Sequence, residues 1–353
     1  MKKLTLLFSS LLLLLGLTAC GGSKEGDAGE AKGKTIEASI EDARYILSDR
    51  DGGEPIDGEE ADGGILLIDI LIKNVSDASV DVFPEMSMQL YDGDSQMDPV
   101  TNVNHALGIE RESNTSVGVD KQKTMTVMFD VEKDKEYEIN ILPQSSDYEA
   151  EVEDVNIPLD TGEYNESLES LMIPEKALTA YIETIYFDKD NSDYEKYISA
   201  DKNSLQDDAQ KSFKKMMDMT VSKSISNDDA EKHYESFKQS SAEKDEIEVT
   251  VTGNSGEKAI VNVEYEALAY DDITEKMRDY KEDYRDNNDF DPDKENEYAL
   301  KKFDSILDEI DAKNGSREIE VEMKQKDGKW AIDDSGLEAT KRLNQVFAEG
   351  AVR

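Results

Sequence analysis

The sequence is poor in the residues that most often carry chemistry. Its 353 residues include one cysteine, two histidines and one tryptophan. A single cysteine excludes an intrachain disulfide, so the fold has to rest on its apolar core. His105 and His233 do not form a metal-binding spacing such as HExxH, and no G-x-S-x-G, P-loop or G-x-G-x-x-G segment occurs. Positive charge is scarce as well: 40 Lys and Arg stand against 82 Asp and Glu, a formal net charge of −42. That imbalance argues against nucleic acid and against adhesion to an anionic membrane surface, both of which would repel the chain. An apolar fraction of 37% with 15 tyrosines is still enough for ordered domains.

What is present first is an address. Lys2 and Lys3 precede the run Leu4 to Leu17, broken only by Thr5, Ser9, Ser10 and Gly16, which is the layout of a secretory signal peptide. The run is 14 residues long, whereas a membrane-spanning helix needs roughly 20. It ends in Leu17-Thr18-Ala19-Cys20, and these residues resemble the lipobox of bacterial lipoproteins. The resemblance implies cleavage between Ala19 and Cys20. It also implies an S-diacylglyceryl group on Cys20, N-acylation by fatty chains such as palmitate, and anchoring at the outer face of the cytoplasmic membrane. Two or more chains hold a protein durably where one holds it marginally, at about 0.8 kcal/mol per buried methylene. Residues 20–35, with five glycines between Gly21 and Gly33 and no branched apolar or aromatic side chain before Ile36, are expected to be a flexible tether.

Residues 36–160 read as an all-β domain. Ile36, Ala38 and Ile40 alternate with polar residues, and Ile65 to Ile72 is an apolar run closed by Asn74, Ser76 and Asp77. Val80 and Val82, then Met86, Met88 and Leu90, continue the alternation into the turn Asp92-Gly93-Asp94. Met125, Val127, Phe129 and Val131 follow, then Tyr137, Ile139 and Ile141, and last Val152, Val155 and Ile157. Seven or so short strands between polar turns predict a β-sandwich. Asn74 to Ser76, Asp92-Gly93 and Phe129-Asp130-Val131 resemble the turns and core strand of the immunoglobulin-like (telokin-like) domain found in many Gram-positive lipoproteins. Those motifs imply a fold and carry over no catalytic residue.

Residues 163–353 are mixed. Pro174 suits a first helical turn ahead of Ala177, Leu178, Tyr181, Ile182 and Ile185; Leu205 to Met216 and Ala230 to Phe237 repeat that spacing. Ile247 to Val251 and Val261 to Tyr265 predict a hairpin across Gly253-Asn254-Ser255-Gly256. A charged helical region over about 271–312 is expected to break near Asn287 to Pro292. A second hairpin crosses Lys326-Asp327-Gly328-Lys329, and Ser335 and Glu338 are spaced as a capping box for a last helix. The expected C-terminal fold is α+β, with a small antiparallel sheet and several helices. Lys324 to Asp333 resembles the terminal hairpin of cone-shaped, nuclear-transport-factor-two-like or cystatin-like domains, in which the residue matching Trp330 plugs the sheet. The pairing of the two domains resembles an uncharacterised family of Gram-positive (Firmicutes) lipoproteins.

Chemistry is harder to find. His233 lies beside the Ala230, Tyr234, Phe237 face and reads as a helix-boundary residue. Asp188 to Ser199 begins like a calcium loop, but Asp193 stands where the loop needs glycine and Ser199 where it needs glutamate; Asp289 to Leu300 fails at Lys294 and Leu300. Both read as acidic approaches to helices. No catalytic residue, metal or cofactor is expected. The expected function is a membrane-anchored, non-enzymatic binding or interaction module for an envelope protein, peptide or cell-wall ligand. The alternative is a hydrolase or isomerase using a pocket in the C-terminal domain, with Tyr and Asp or Glu as acid and base. Two alternating βαβ lobes, the mark of transporter solute-binding proteins, are missing.

Overall fold

The apolar runs read from the sequence become the central strands of a sheet that both halves of the chain share. The computed structural model describes residues 29–48, 62–147, 149–336 and 338–352. The first half runs β1 (Glu30–Lys32), β2 (Ile36–Ser48), β3 (Gly63–Asn74), β4 (Val80–Asp81), the helical turn α1 (Pro84–Ser87), β5 (Met88–Asp92), β6 (Ser95–Met97), β7 (Ser116–Val117), β8 (Gln122–Glu132), β9 (Glu136–Ile141), β10 (Gln144–Ser145) and β11 (Val155–Asp160). Next come the helices α2 (Asn165–Glu169), α3 (Ile173–Tyr186), α4 (Ser192–Tyr197), α5 (Lys202–Val221) and α6 (Asn227–Lys244). The hairpin β12 (Glu246–Asn254) and β13 (Lys258–Leu268) follows, then α7 (Tyr270–Asn287), α8 (Pro292–Lys301) and α9 (Phe303–Glu309). The chain closes with β14 (Ala312–Asn314), β15 (Ile319–Lys326), β16 (Lys329–Ile332) and α10 (Ala339–Phe347).

The N-terminal domain is antiparallel β and the C-terminal domain α+β, as the patterning predicts. In the first, β1, β2, β3 and β8 face a second sheet ordered β11-β9-β5-β6. Met125, Val127, Phe129 and Val131 of β8 turn inward to meet Leu90, Ile139, Ile157 and Leu159. β3 is buried on both sides for most of its length, which is why it reads as a continuous apolar run and not as an alternation. Its outward Ile65 and Leu67, with Ile46 and Met128, are covered by Val100, Val103 and Ile109 of the long loop between β6 and β7.

In the C-terminal domain, helices enclose an aromatic cluster in which Phe213 lies 5.2–6.0 Å from Tyr234, Phe237 and Phe303, centroid to centroid. Trp330 is fully buried on β16, and its carbonyl accepts from the Ser199 N–H at 3.1 Å, so the hairpin residue does plug this end of the sheet. The two-residue turn Asp327-Gly328 has φ of 54° and 78°, the left-handed pair that a tight hairpin needs and Asp-Gly supplies.

The domains are stitched along β2. Its start pairs with β1, and its end pairs with β12 through Leu47↔Asn254 and Ser48↔Gly253, giving one sheet ordered β16-β15-β13-β12-β2-β3-β8. A bulge between Val251 and Gly253 turns the strand toward its partner. Side chains reinforce the seam. Asn254 Nδ2 donates to the Leu171 carbonyl at 2.8 Å, Ser255 Oγ donates to the Leu107 carbonyl at 3.1 Å, and the Arg44 guanidinium donates to the Ser255 carbonyl at 3.1 Å. At Gly253 a Cβ would stand 3.0 Å from the Leu107 side chain, so a larger residue would require Leu107 to give way by a few tenths of an ångström.

The structure corrects four local expectations. The stretch 29–35, read as the end of the tether, is folded: β1 pairs with β2, and Gly33 packs so tightly that a Cβ there would lie 2.7 Å from Val155. Met86 sits in a helical turn, because Pro84 ends the preceding extended segment and opens α1. The charged helical stretch is three helices, α7, α8 and α9, not two. No capping box forms at Ser335 and Glu338; Glu338 is left-handed at φ 49°, and Asp334 Oδ1 takes the Thr340 N–H at 2.9 Å instead. Among the described residues, no helix is long and apolar enough to cross a membrane.

Candidate functional site

Two concave surfaces stand out, one in each domain. The first lies along β8, the last strand of the shared sheet, and holds a cavity of about 210 Å³. It is lined by Thr126, Val127 and Met128 of β8, by Phe83 to Met86, and by Pro99, Val100, Arg111, Glu112 and Thr115 of the long loop. The α1 turn is tied by Ser87, whose N–H donates to the Phe83 carbonyl and whose Oγ accepts from the Phe83 N–H at 3.2 Å. That turn leaves Met86 67% exposed, and the Ser87 carbonyl accepts from the N–H of Leu142, itself 51% exposed. Scattered exposed apolar residues are ordinary, but Met86 lines a cavity that already has apolar walls. The long loop is held to the sheet edge by Val100 N–H donating to the Met128 carbonyl at 2.7 Å. Arg111 clasps the mouth, donating to Glu85 Oε1 at 2.8 Å and to the Thr101 carbonyl at 2.7 Å.

The second surface, in the C-terminal domain, is an open depression of about 400 Å³ lined by Ser212, Asp334, Glu338, Thr340, Lys341, Asn344 and Glu349. Its polar groups are turned on one another. Asp334 caps α10, Lys341 pairs with Glu338 at 2.8 Å, and the Tyr186 hydroxyl donates to Asn344 Oδ1 at 2.9 Å. Burial holds the Glu349 carboxyl above the ordinary range, with Ser212 opposing the shift by hydrogen bonding. These groups fix the ends of α10; they do not converge on a common point where an acid and a base could act together.

Among the described carboxyls, Asp245 departs furthest from its ordinary value. Burial pushes its carboxyl up to about 7, against the hydrogen bond that its Oδ1 accepts from the Leu268 N–H at 3.0 Å. It sits at the corner between α6 and β12 and does not line either concavity, so it acts as a structural latch. His233 is buried against the Phe303 ring at 5.1 Å, with its pKa lowered by burial, while His105 is exposed at the start of a turn in the N-terminal domain. The two calcium-like stretches cap helices: Asn191 Oδ1 accepts from Asp193 N–H at 2.9 Å, and Asp291 Oδ1 from Lys294 N–H at 3.3 Å. Among the described residues no cluster of His, Cys, Asp and Glu could hold a metal ion. Ala19 and Cys20 lie outside the described residues.

The groove carries no motif that sequence reading could have found. The available signals were Phe83-Pro84, which forces a turn at that point, and the apolar Val100, Val103 and Ile109, which follow no period because they cover a sheet face from a loop.

Comparison with known proteins places this architecture. A family model described as a domain of unknown function, DUF5105, matches residues 164–348, and another, DUF4352, matches residues 30–151. The chain is 24% identical over 360 residues, 99% of each chain, to a Bacillus subtilis (strain 168) protein named uncharacterized lipoprotein YcdA. A crystal structure of that lipoprotein superposes with a TM-score of 0.66 at 22% identity, covering 91% of this chain and 99% of the other, a likeness of fold. A crystal structure of the Bacillus subtilis protein YjhA covers 38% of this chain and 98% of its own, with a TM-score of 0.28 and 14% identity.

Proposed function

This chain belongs to the DUF5105 family, and on that premise we propose that it is a lipid-anchored extracytoplasmic lipoprotein that binds an envelope partner through its N-terminal domain. In this reading residues 1–19 are the signal peptide, and Cys20 carries the diacylglyceryl group that holds the protein at the outer face of the cytoplasmic membrane. Support comes from the whole-length similarity to a lipoprotein and from the cysteine standing directly behind the apolar run. Nine residues, 21–29, separate Cys20 from β1, a reach of roughly 30 Å at full extension.

The observation that carries the binding reading is the apolar groove along β8, lined in part by exposed Met86. A photo-crosslinking residue at position 86, with one at exposed Met219 as reference, tests it in cells. An envelope adduct specific to position 86 supports the reading; identical adducts, or none, at both positions refute it. Separately, Cys20→Ser is expected to move the protein from the detergent-extracted membrane to the medium and to remove the mass of the lipid. Equal masses, allowing for the substitution, overturn the anchor.

A further inference from the structure

Three features compete for attention: the β8 groove, the acidic depression beside α10, and the tyrosine-bearing pair α7 and α8, where Tyr298 lies 5.5 Å from Tyr284 and 6.3 Å from Tyr280. The polar groups of the second are paired with one another, and two of the phenols in the third are engaged, Tyr280 with Glu309 and Tyr298 with Asp283. The groove differs because it exposes main chain. We propose that its occupant is an extended peptide segment, apolar at alternate residues and flanked by lysine or arginine, which adds as a strand to the free edge of β8. The proposal rests on the binding reading above and names the partner.

In an antiparallel strand the N–H and C=O of one residue point to the same side, and the side alternates along the chain. Met128 accepts from Val100, which is not part of β3, so Met128 aims its main-chain groups away from its sheet neighbour. Thr126, two residues earlier, aims the same way, and it lines the groove. A second extended segment can therefore continue the pairing that Val100 begins. Strand addition of this kind takes affinity from main-chain hydrogen bonds and selectivity from pockets for alternate side chains. The cavity fits that demand: about 210 Å³ lies below the roughly 300–1,000 Å³ typical of small-molecule pockets, and suits one or two apolar side chains against Phe83, Pro84 and Val100.

Charge selects among peptides. Exposed Glu85 and Glu112 line the cavity, and exposed Asp98 and Glu110 are next in sequence to its lining residues Pro99 and Arg111. The cations nearby are engaged and balance two of these carboxylates: Arg111 holds Glu85 and the Thr101 carbonyl, and Lys123 lies 3.8 Å from Glu112 and donates to the Asn114 carbonyl at 2.6 Å, which leaves Asp98 and Glu110 as the surplus. The surplus is negative on a chain already at −42, so acidic segments are repelled and basic flanks attracted. A second copy of this chain would bring the same acidic residues and is disfavoured for that reason.

The test uses the detergent-solubilised full chain and fluorescent nonapeptides with leucine or valine at alternate positions, ended either by lysines or by glutamates. The lysine-ended peptide is expected to bind at least tenfold more tightly at low salt, with the gap narrowing as salt rises, and to protect amides of residues 122–130 from hydrogen exchange. Thr126→Pro removes an outward N–H without breaking the ladder to β3 and should weaken binding at least tenfold. Thr126→Val loses only the side-chain bond to Asp69 Oδ1, 2.6 Å long, and should bind normally. If Thr126→Pro does not fold, Met86→Asp, expected to weaken binding through the wall, decides the matter. The proposal is overturned if neither peptide binds, if both bind equally, or if the variants bind as the parent does. Protection of 122–130 that grows with protein concentration alone would assign the edge to self-association and overturn it too. Should the peptides fail while the position-86 adduct forms, strand addition falls and the binding reading stands.

Discussion

The two concavities invert what their composition suggests. The depression beside α10 holds three carboxylates, a lysine and a hydroxyl-bearing floor, the residue types of an active site, yet they are occupied with one another and with the ends of a helix. The β8 groove holds almost nothing reactive, and offers unused main chain and apolar walls. Availability of a group, rather than its reactivity, separates a candidate site from a scaffold. The same contrast runs through the described residues, whose most perturbed carboxyl belongs to a latch at the α6–β12 corner.

The comparison supposes one body with two differently used ends, and the largest expected effect tests that unity. Leu66, fully buried in the N-terminal core, should cost about 2–5 kcal/mol when replaced by alanine. Trp330, the only tryptophan, reports on the C-terminal domain alone, so its urea transition should move with the remote substitution if the β12–β2 pairing couples the halves. An unmoved Trp330 midpoint would make the domains independent.

Next in size is the latch. The folded pKa of Asp245 is raised, so the protonated carboxyl is the form the fold favours. The stability it contributes is complete below its unfolded value near 4 and is lost as pH climbs to about 7. Asp245→Asn should remove a pH dependence on the order of 2–4 kcal/mol between pH 4 and 8, leaving the variant more stable than the parent at pH 8. Parallel pH profiles of urea midpoints for the two proteins would assign the carboxyl a solvated position.

Asp334→Ala removes the α10 cap and should cost about 1 kcal/mol by thermal or urea melting. A loss of ligand binding or of an activity, with stability unchanged, would promote the depression to a site. Least costly is Arg111→Ala at the groove mouth, where a partly exposed ion pair is expected to contribute less than about 1 kcal/mol. A larger loss would mean that Arg111 holds the loop and does not merely cover the groove.

Much of the architecture was legible because core-facing periodicity is local. β8 alternates, β11 alternates, and Asp327-Gly328 can hardly be anything but a hairpin turn. The α7 helix stops where Asn288 to Pro292 says it should. What escaped was long-range or context-dependent. Gly253-Asn254 looks like turn chemistry, and only the approach of β2 converts it into strand. β1 hides among glycines, because three residues are too few to show a period. Met86 has the right spacing for a strand, and Pro84 two residues earlier cancels it. The groove is the extreme case, since an unpaired strand edge is a relation between segments and has no residue signature of its own.

If the proposed anchor at Cys20 holds, β1 gains a mechanical meaning. A pull on the lipid enters the fold at Glu30, the open end of the β1–β2 hairpin, where hydrogen bonds break in succession, zipper fashion, and not all at once in shear. Peeling this three-residue strand would free residues up to Lys32, while Lys34 and Thr35 stay tied to Glu153 and Val75 ahead of β2, which is locked to β3 over most of its length. Under the proposed anchoring, β1 would serve as a mechanical fuse, taking up tension at a replaceable edge strand before it reached the seam that joins the two domains.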